Sequence, residues 1–157
     1  MKALRFNHVS VHALDMEASI RFYTELFGME RLPTADFGRP VQWLRLGDQQ
    51  LHLFLQEDSK PAPALHHFGL DVDDFEAVYA TAKELGILSM DGFGASLRVH
   101  PAGWVQLYLR DPAGNLVEVD WPDASTLSPE TRAEMTQLES VVHQEGDAAT
   151  ATLYHSA

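Results

Sequence analysis

Two stretches decide the fold: His8-Val9-Ser10-Val11, followed by Asp15 and Gly28, and His67-Phe68-Gly69-Leu70, followed by Asp74 and Gly86. In both, Asp stands seven residues after His, and Gly follows after 20 residues in the first copy and 19 in the second. The period between the copies is 59 residues. A fixed internal period of this size means that one supersecondary unit is used twice. Between each Asp and Gly lies a helical stripe. It comprises Ile20, Tyr23, Leu26 and Phe27 in copy one, and Phe75, Val78, Tyr79, Ala82 and Leu85 in copy two. The Asp is suited to an N-cap and the Gly to a C-cap.

The flanking segments read as strands. Residues 4–12 alternate, with Leu4, Phe6, His8, Ser10 and His12 on one face. Residues 30–40 contain Pro33, Gly38 and Pro40, so a strand there is short and interrupted. Val41 to Leu46 and Leu51 to Gln56 form a hairpin about Gly47–Gln50, and Pro61 and Pro63 mark a linker. In copy two a strand is expected within 94–100. A second hairpin joins Trp104–Arg110 to Asn115–Trp121 about Asp111-Pro112-Ala113-Gly114. The chain is therefore α+β, with two repeated β-α-β-β-β modules, 4–57 and 65–121, pairing into a curved, cup-shaped mixed sheet with helices outside. They make one domain over 1–122. Residues 123–157 follow as a C-terminal helix opened by Ser128-Pro129, with Met135, Leu138 and Val142 on one side, and a polar tail from 144.

Composition narrows the function. The chain has 157 residues, no cysteine and a net charge of −12. Disulfides and thiolate zinc sites are excluded. Nucleic acid is not an expected partner, because phosphate binding wants a basic face. No apolar run reaches the length of a membrane span, and Met1–Phe6 lacks a signal-peptide core, so a cytoplasmic location is expected.

His8 and His67 hold the same place in each repeat. Glu118 sits between Leu116-Val117 and Val119, where an unpaired charge is costly. Two imidazoles and one carboxylate suit a divalent cation, iron(II) first, with manganese, zinc and nickel as alternatives. His66 is the competitor to His67, set aside because the seven-residue offset to Asp74 selects His67. His52, in Leu51-His52-Leu53, repeats the Glu118 position in module one. Trp43, Phe54, Trp104 and Trp121 are read as ordinary strand aromatics.

This order, with the closing run Asp111-Pro112-Ala113-Gly114-Asn115-Leu116-Val117-Glu118, resembles the vicinal-oxygen-chelate superfamily over residues 4–121. That superfamily includes glyoxalase I, thiol transferases, bleomycin-binding proteins and extradiol dioxygenases. The resemblance implies a metal held by His8, His67 and Glu118 that chelates two adjacent oxygens of a small substrate. The run His100, Tyr108, Glu118 is similar to the extradiol signature, although Arg98 is larger than the residue favoured there. It implies His100 and Tyr108 on the substrate oxygens, His52 as an acid–base group, and dioxygen as co-substrate in a single-domain, iron-dependent ring-cleaving enzyme. The alternative is a glyoxalase-like lyase or isomerase with His52 as a fourth ligand. A thiol transferase lacks the expected phosphonate-binding cluster. A metal-free drug-binding protein would not need the three ligands. A symmetric homodimer is the expected assembly.

Overall fold

The computed structural model describes all residues except 59, 61, 92 and 155–157. Two positions of the expected linker, Ser59 and Pro61, thus lie outside the described residues. The chain forms two compact units. Unit one is 1–66 together with 110–115, and unit two is 67–109 together with 116–157.

Unit one runs β1 (His8–Ala13), α1 (Met16–Phe27), β2 (Glu30–Leu32), β3 (Val41–Leu46) and β4 (Gln49–Leu55). Its sheet has the order β1-β4-β3-β2, with β1 and β4 parallel and the other pairs antiparallel. Unit two runs β5 (His67–Asp71), α2 (Phe75–Leu85), β6 (Leu97–Val99), β7 (Val105–Arg110) and β8 (Leu116–Trp121). The same strand order returns as β5-β8-β7-β6, extended by β9 (Thr136–Gln137). The repeat read in the sequence is thus a repeat of topology, and the mixed strands form two hydrogen-bonded sheets, one per module. β1 starts four residues later than the alternation suggests. Its partner β4 begins only at Gln49, and Gln50 N still donates to Asn7 O at 3.1 Å, so residues 4–6 have no strand to pair with.

The helices start and stop where the caps direct. Asp15 accepts from Ala18 N at 2.9 Å and Asp74 from Ala77 N at 3.0 Å, meeting amides that the first turn leaves without partners. Gly28 and Gly86 close the helices at φ 62° and 66°, the left-handed region that residues with a Cβ avoid. α1 packs on β4 and α2 on β8. Leu51 and Leu53 of β4, and Val117 and Val119 of β8, are buried among the core residues. Strand alternation then sends Gln50, His52 and Phe54, and likewise Glu118 and Asp120, to the opposite face of each sheet. Each module therefore has one apolar side and one side free for chemistry.

The C-terminal region departs from the expected helix and tail. It breaks into α3 (Pro129–Ala133), the strand β9, α4 (Leu138–Val141) and α5 (Asp147–Thr150). β9 pairs in parallel with β6, satisfying a sheet edge that a continuous helix would leave open. α3 is fastened to α2 through Glu76, whose carboxylate accepts from Ser128 N, Ser128 Oγ and Thr131 Oγ1 at 3.1, 2.6 and 2.6 Å. The Ser128 and Thr131 hydroxyls hold the Glu76 pKa below its ordinary value of 4.5. A carboxylate with a depressed folded-state pKa stabilises the fold above the unfolded value and loses that contribution as pH falls through the folded one. Wild type should therefore melt higher than Glu76→Gln at neutral pH, and the gap should close below pH 4.5. Thermal melts of both proteins across that range test this. A gap independent of pH would show that the charge on Glu76 contributes nothing.

Candidate active site

Unit one carries His8 and His52 on neighbouring strands. Ser10 is in register with His52, so His8 lies two residues before the partner of His52. The two imidazoles stack with centroids 4.4 Å apart, and Trp43 stacks on the other side of His52 at 4.8 Å. His52 Nε2 meets Gln50 Oε1 at 2.8 Å and His8 Nδ1 meets Asn7 Oδ1 at 2.6 Å. Burial, and secondarily the His8 ring, lower the His52 pKa and favour a neutral imidazole. Trp43 and Phe54 share this face, and Phe37 approaches their rings at 5.9 and 6.5 Å.

Unit two repeats the register. Gly69 pairs with Glu118, so Glu118 stands relative to His67 as His52 stands relative to His8. His67 Nε2 lies 3.2 Å from Glu118 Oε2. Glu118 is only 5% exposed, and Oε2 is buried without a hydrogen-bond partner among the described residues. The Tyr108 hydroxyl is near the Glu118 carboxylate, and its ring lies edge-on to His67 at 6.0 Å with Phe93 stacked on it at 4.5 Å. Burial first, then the Glu118 carboxylate, push the Tyr108 pKa up, so the phenol keeps its proton. His100 is on the same sheet face through Gln106, whose Oε1 lies 2.6 Å from His100 Nε2. Its ring stacks on Trp104 at 3.6 Å. Burial lowers the His100 pKa and the bond to Gln106 partly opposes it.

Sequence reasoning missed Asp120. It is 4% exposed, and burial followed by the nearby Glu118 charge pushes its pKa well above the ordinary carboxylate range. Gly69 makes room for this pair, since a Cβ there would lie 3.0 Å from Asp120 Oδ2 and 3.8 Å from Glu118 Oε1. The available signal was the two-residue spacing, which puts Glu118 and Asp120 on one face of β8. Arg98 and Gln106 were also missed as buried polar groups; they are in register with each other on β6 and β7.

The structure thus brings His67, Glu118, Tyr108 and His100 to one face of unit two, and His8 and His52 to one face of unit one. Among the described residues no three His, Asp or Glu side chains form a group able to hold a metal ion. The donors on unit two nonetheless suit a divalent cation. An imidazole nitrogen faces a buried carboxylate oxygen that meets no well-aligned hydrogen-bond donor among the described residues, and a cation is a natural partner for the two together.

The sequence profile of the Glyoxalase/Bleomycin resistance protein/Dioxygenase superfamily matches residues 5–119, and the chain belongs to that superfamily. It is 28% identical over 131 residues to the mitochondrial methylmalonyl-CoA epimerase of Mus musculus, covering 74% of this chain and 72% of the epimerase. Among solved structures it resembles lactoylglutathione lyase from Agrobacterium tumefaciens (TM-score 0.57, 26% identity, 76% of this chain and 95% of that one). It also resembles a glyoxalase family protein from Enterococcus faecalis (TM-score 0.60, 27% identity, 74% and 97%). These names are those of an epimerase and of glyoxalase-type proteins, not of extradiol dioxygenases. No helix among the described residues is long and apolar enough to cross a membrane.

Proposed function

We propose that the protein is a metal-dependent epimerase, isomerase or lyase that moves a proton at a carbon beside two neighbouring oxygens of a small substrate. The reading rests on the His67–Glu118 pair, an imidazole nitrogen and a buried carboxylate oxygen 3.2 Å apart. The epimerase and lyase relatives favour proton transfer over ring cleavage. His67 and Glu118 would hold the cation on unit two. It would supply charge stabilisation for the substrate oxygens as the neighbouring C–H bond ionises. The chain's own groups do the rest. His52, with its pKa lowered, accepts a proton as the neutral imidazole. Tyr108, a phenol that keeps its proton, donates a hydrogen bond. Trp43 and Phe54 give the substrate an apolar wall that keeps water away.

Extradiol ring cleavage is the second reading, favoured by the placement of His100 and Tyr108 on one sheet face with Glu118. One experiment separates the two. The protein is loaded in turn with iron(II), manganese, cobalt, zinc and nickel. Deuterium exchange into methylmalonyl-CoA from D2O, turnover of lactoylglutathione, and dioxygen uptake with catechols are then followed. Solvent exchange or turnover without dioxygen is the expected result. Stoichiometric dioxygen uptake with a catechol would overturn the first reading in favour of the second. A symmetric dimer belongs to the proposal, and sedimentation of a monomer alone would remove that part.

A further inference from the structure

Residues beyond the part of the chain shared with the superfamily reach the acidic face of unit two. Tyr154 donates its hydroxyl to Asp71 Oδ1 at 2.8 Å, and the indole of Trp104 donates to the carbonyl of Ala151 at 2.9 Å. Asp71 closes β5 in register with Asp120 on β8, and Trp104 immediately precedes β7. The short turn 111–115 makes β7 run opposite to β8. Trp104, Asp120 and Asp71 therefore mark the same end of three adjacent strands, in the order β7-β8-β5. Two interstrand steps span about 10 Å. The three residue steps from Ala151 to Tyr154, extended, cover about the same distance. The segment fits as a crosspiece over that end of the sheet, fixed at both ends by side-chain hydrogen bonds. Burial, then the hydrogen bond to Asp71 and its charge, raise the Tyr154 pKa, so the phenol remains a donor at neutral pH.

We propose that Asp147–Tyr154 is a strap that closes one end of the candidate site, with Tyr154 as a positioning residue that holds Asp71 beside the Glu118–Asp120 pair. The inference rests on the proton-transfer reading of that site. Without the Tyr154 donor, Asp71 loses the hydrogen bond that holds it opposite Asp120. Without the strap, that end of the acidic face opens to water and to longer substrates.

The test uses the full chain, Tyr154→Phe, and a chain ending at Gly146, each loaded with the metal that supports activity. The first readout is solvent exchange of the Trp104 indole N–H by NMR, assigned with Trp104→Phe. The second is KM against kcat on methylmalonyl-CoA. Truncation should speed indole exchange and raise KM about three- to tenfold, the value of one hydrogen bond, with kcat little changed. Tyr154→Phe should raise KM in the same direction while keeping the indole protected through Ala151. Indole exchange equally fast in the full and truncated chains would overturn the strap. So would unchanged KM and kcat in both variants. A protected indole in a protein inactive on every substrate would sink the functional reading and leave the docked strap standing. Tyr154→Phe carries the test if the truncated chain does not fold.

Discussion

Asp111→Ala should destabilise the protein by about 3–5 kcal/mol, because one buried carboxylate holds four donors. Asp111 is 5% exposed. Its Oδ1 accepts from Ala113 N at 2.9 Å and Asn115 N at 2.8 Å. Its Oδ2 accepts from Asn115 Nδ2 at 2.8 Å and from the Tyr23 hydroxyl at 2.7 Å. Tyr23 is fully buried on α1, and burial followed by the Asp111 charge raises its pKa well above the usual phenol value. Asn115 Nδ2 also donates to His12 O at 2.8 Å, so the turn 111–115 is tied to both α1 and β1 of unit one. Alanine would leave a buried hydroxyl and two turn amides without acceptors, and each carries a desolvation cost. Tyr23→Phe removes one donor only and should cost about 1–3 kcal/mol. Urea unfolding followed by circular dichroism measures both. An Asp111→Ala protein within about 1 kcal/mol of wild type would show that the network is not what holds this turn.

Glu118→Gln should abolish metal-dependent activity and weaken metal binding by more than about 100-fold, beyond what the loss of an outer partner usually costs. Glutamine keeps the shape of the side chain and its room beside Gly69, so the sheet should survive the change. What it loses is the charge that pairs with His67 and that, with Tyr108 and Asp120, defines this face. Calorimetric titration with manganese or zinc, alongside a thermal melt, reads binding and folding separately. Wild-type metal affinity in a folded Glu118→Gln protein would remove Glu118 from the ligand set.

The repeat, both helix caps, both hairpins and the equivalence of His52 with Glu118 could be read from residue types and spacing. Each depends on local chemistry: an Asp seven residues after a His, a Gly closing a stripe, a Pro-Ala-Gly turn. The polar face of unit two was legible only in part. Its outline was in the alternation of Leu116-Val117-Glu118-Val119-Asp120. Whether Asp120 is buried beside Glu118 depends on Gly69 of β5, which is remote in sequence. The C-terminal region was the least legible. Thr136-Gln137 is too short to signal a strand and becomes one because β6 offers an edge. Tyr154 sits in a polar tail whose composition says nothing of Asp71.

In both modules the chemistry lies on or beside a parallel strand pair, β1 with β4 and β5 with β8. His8 pairs with Gln50 and His67 with Leu116, so each pairing closes a loop of about forty to fifty residues. The helices and antiparallel hairpins inside those loops involve short-range contacts and can form early. The parallel pairings are the slow, high-contact-order step. A chain arrested before that step would show native-like helicity yet lack the juxtaposed His67 and Glu118. Any ligand of that pair would then act on folding itself, slowing the reopening of the last strand pairing to form.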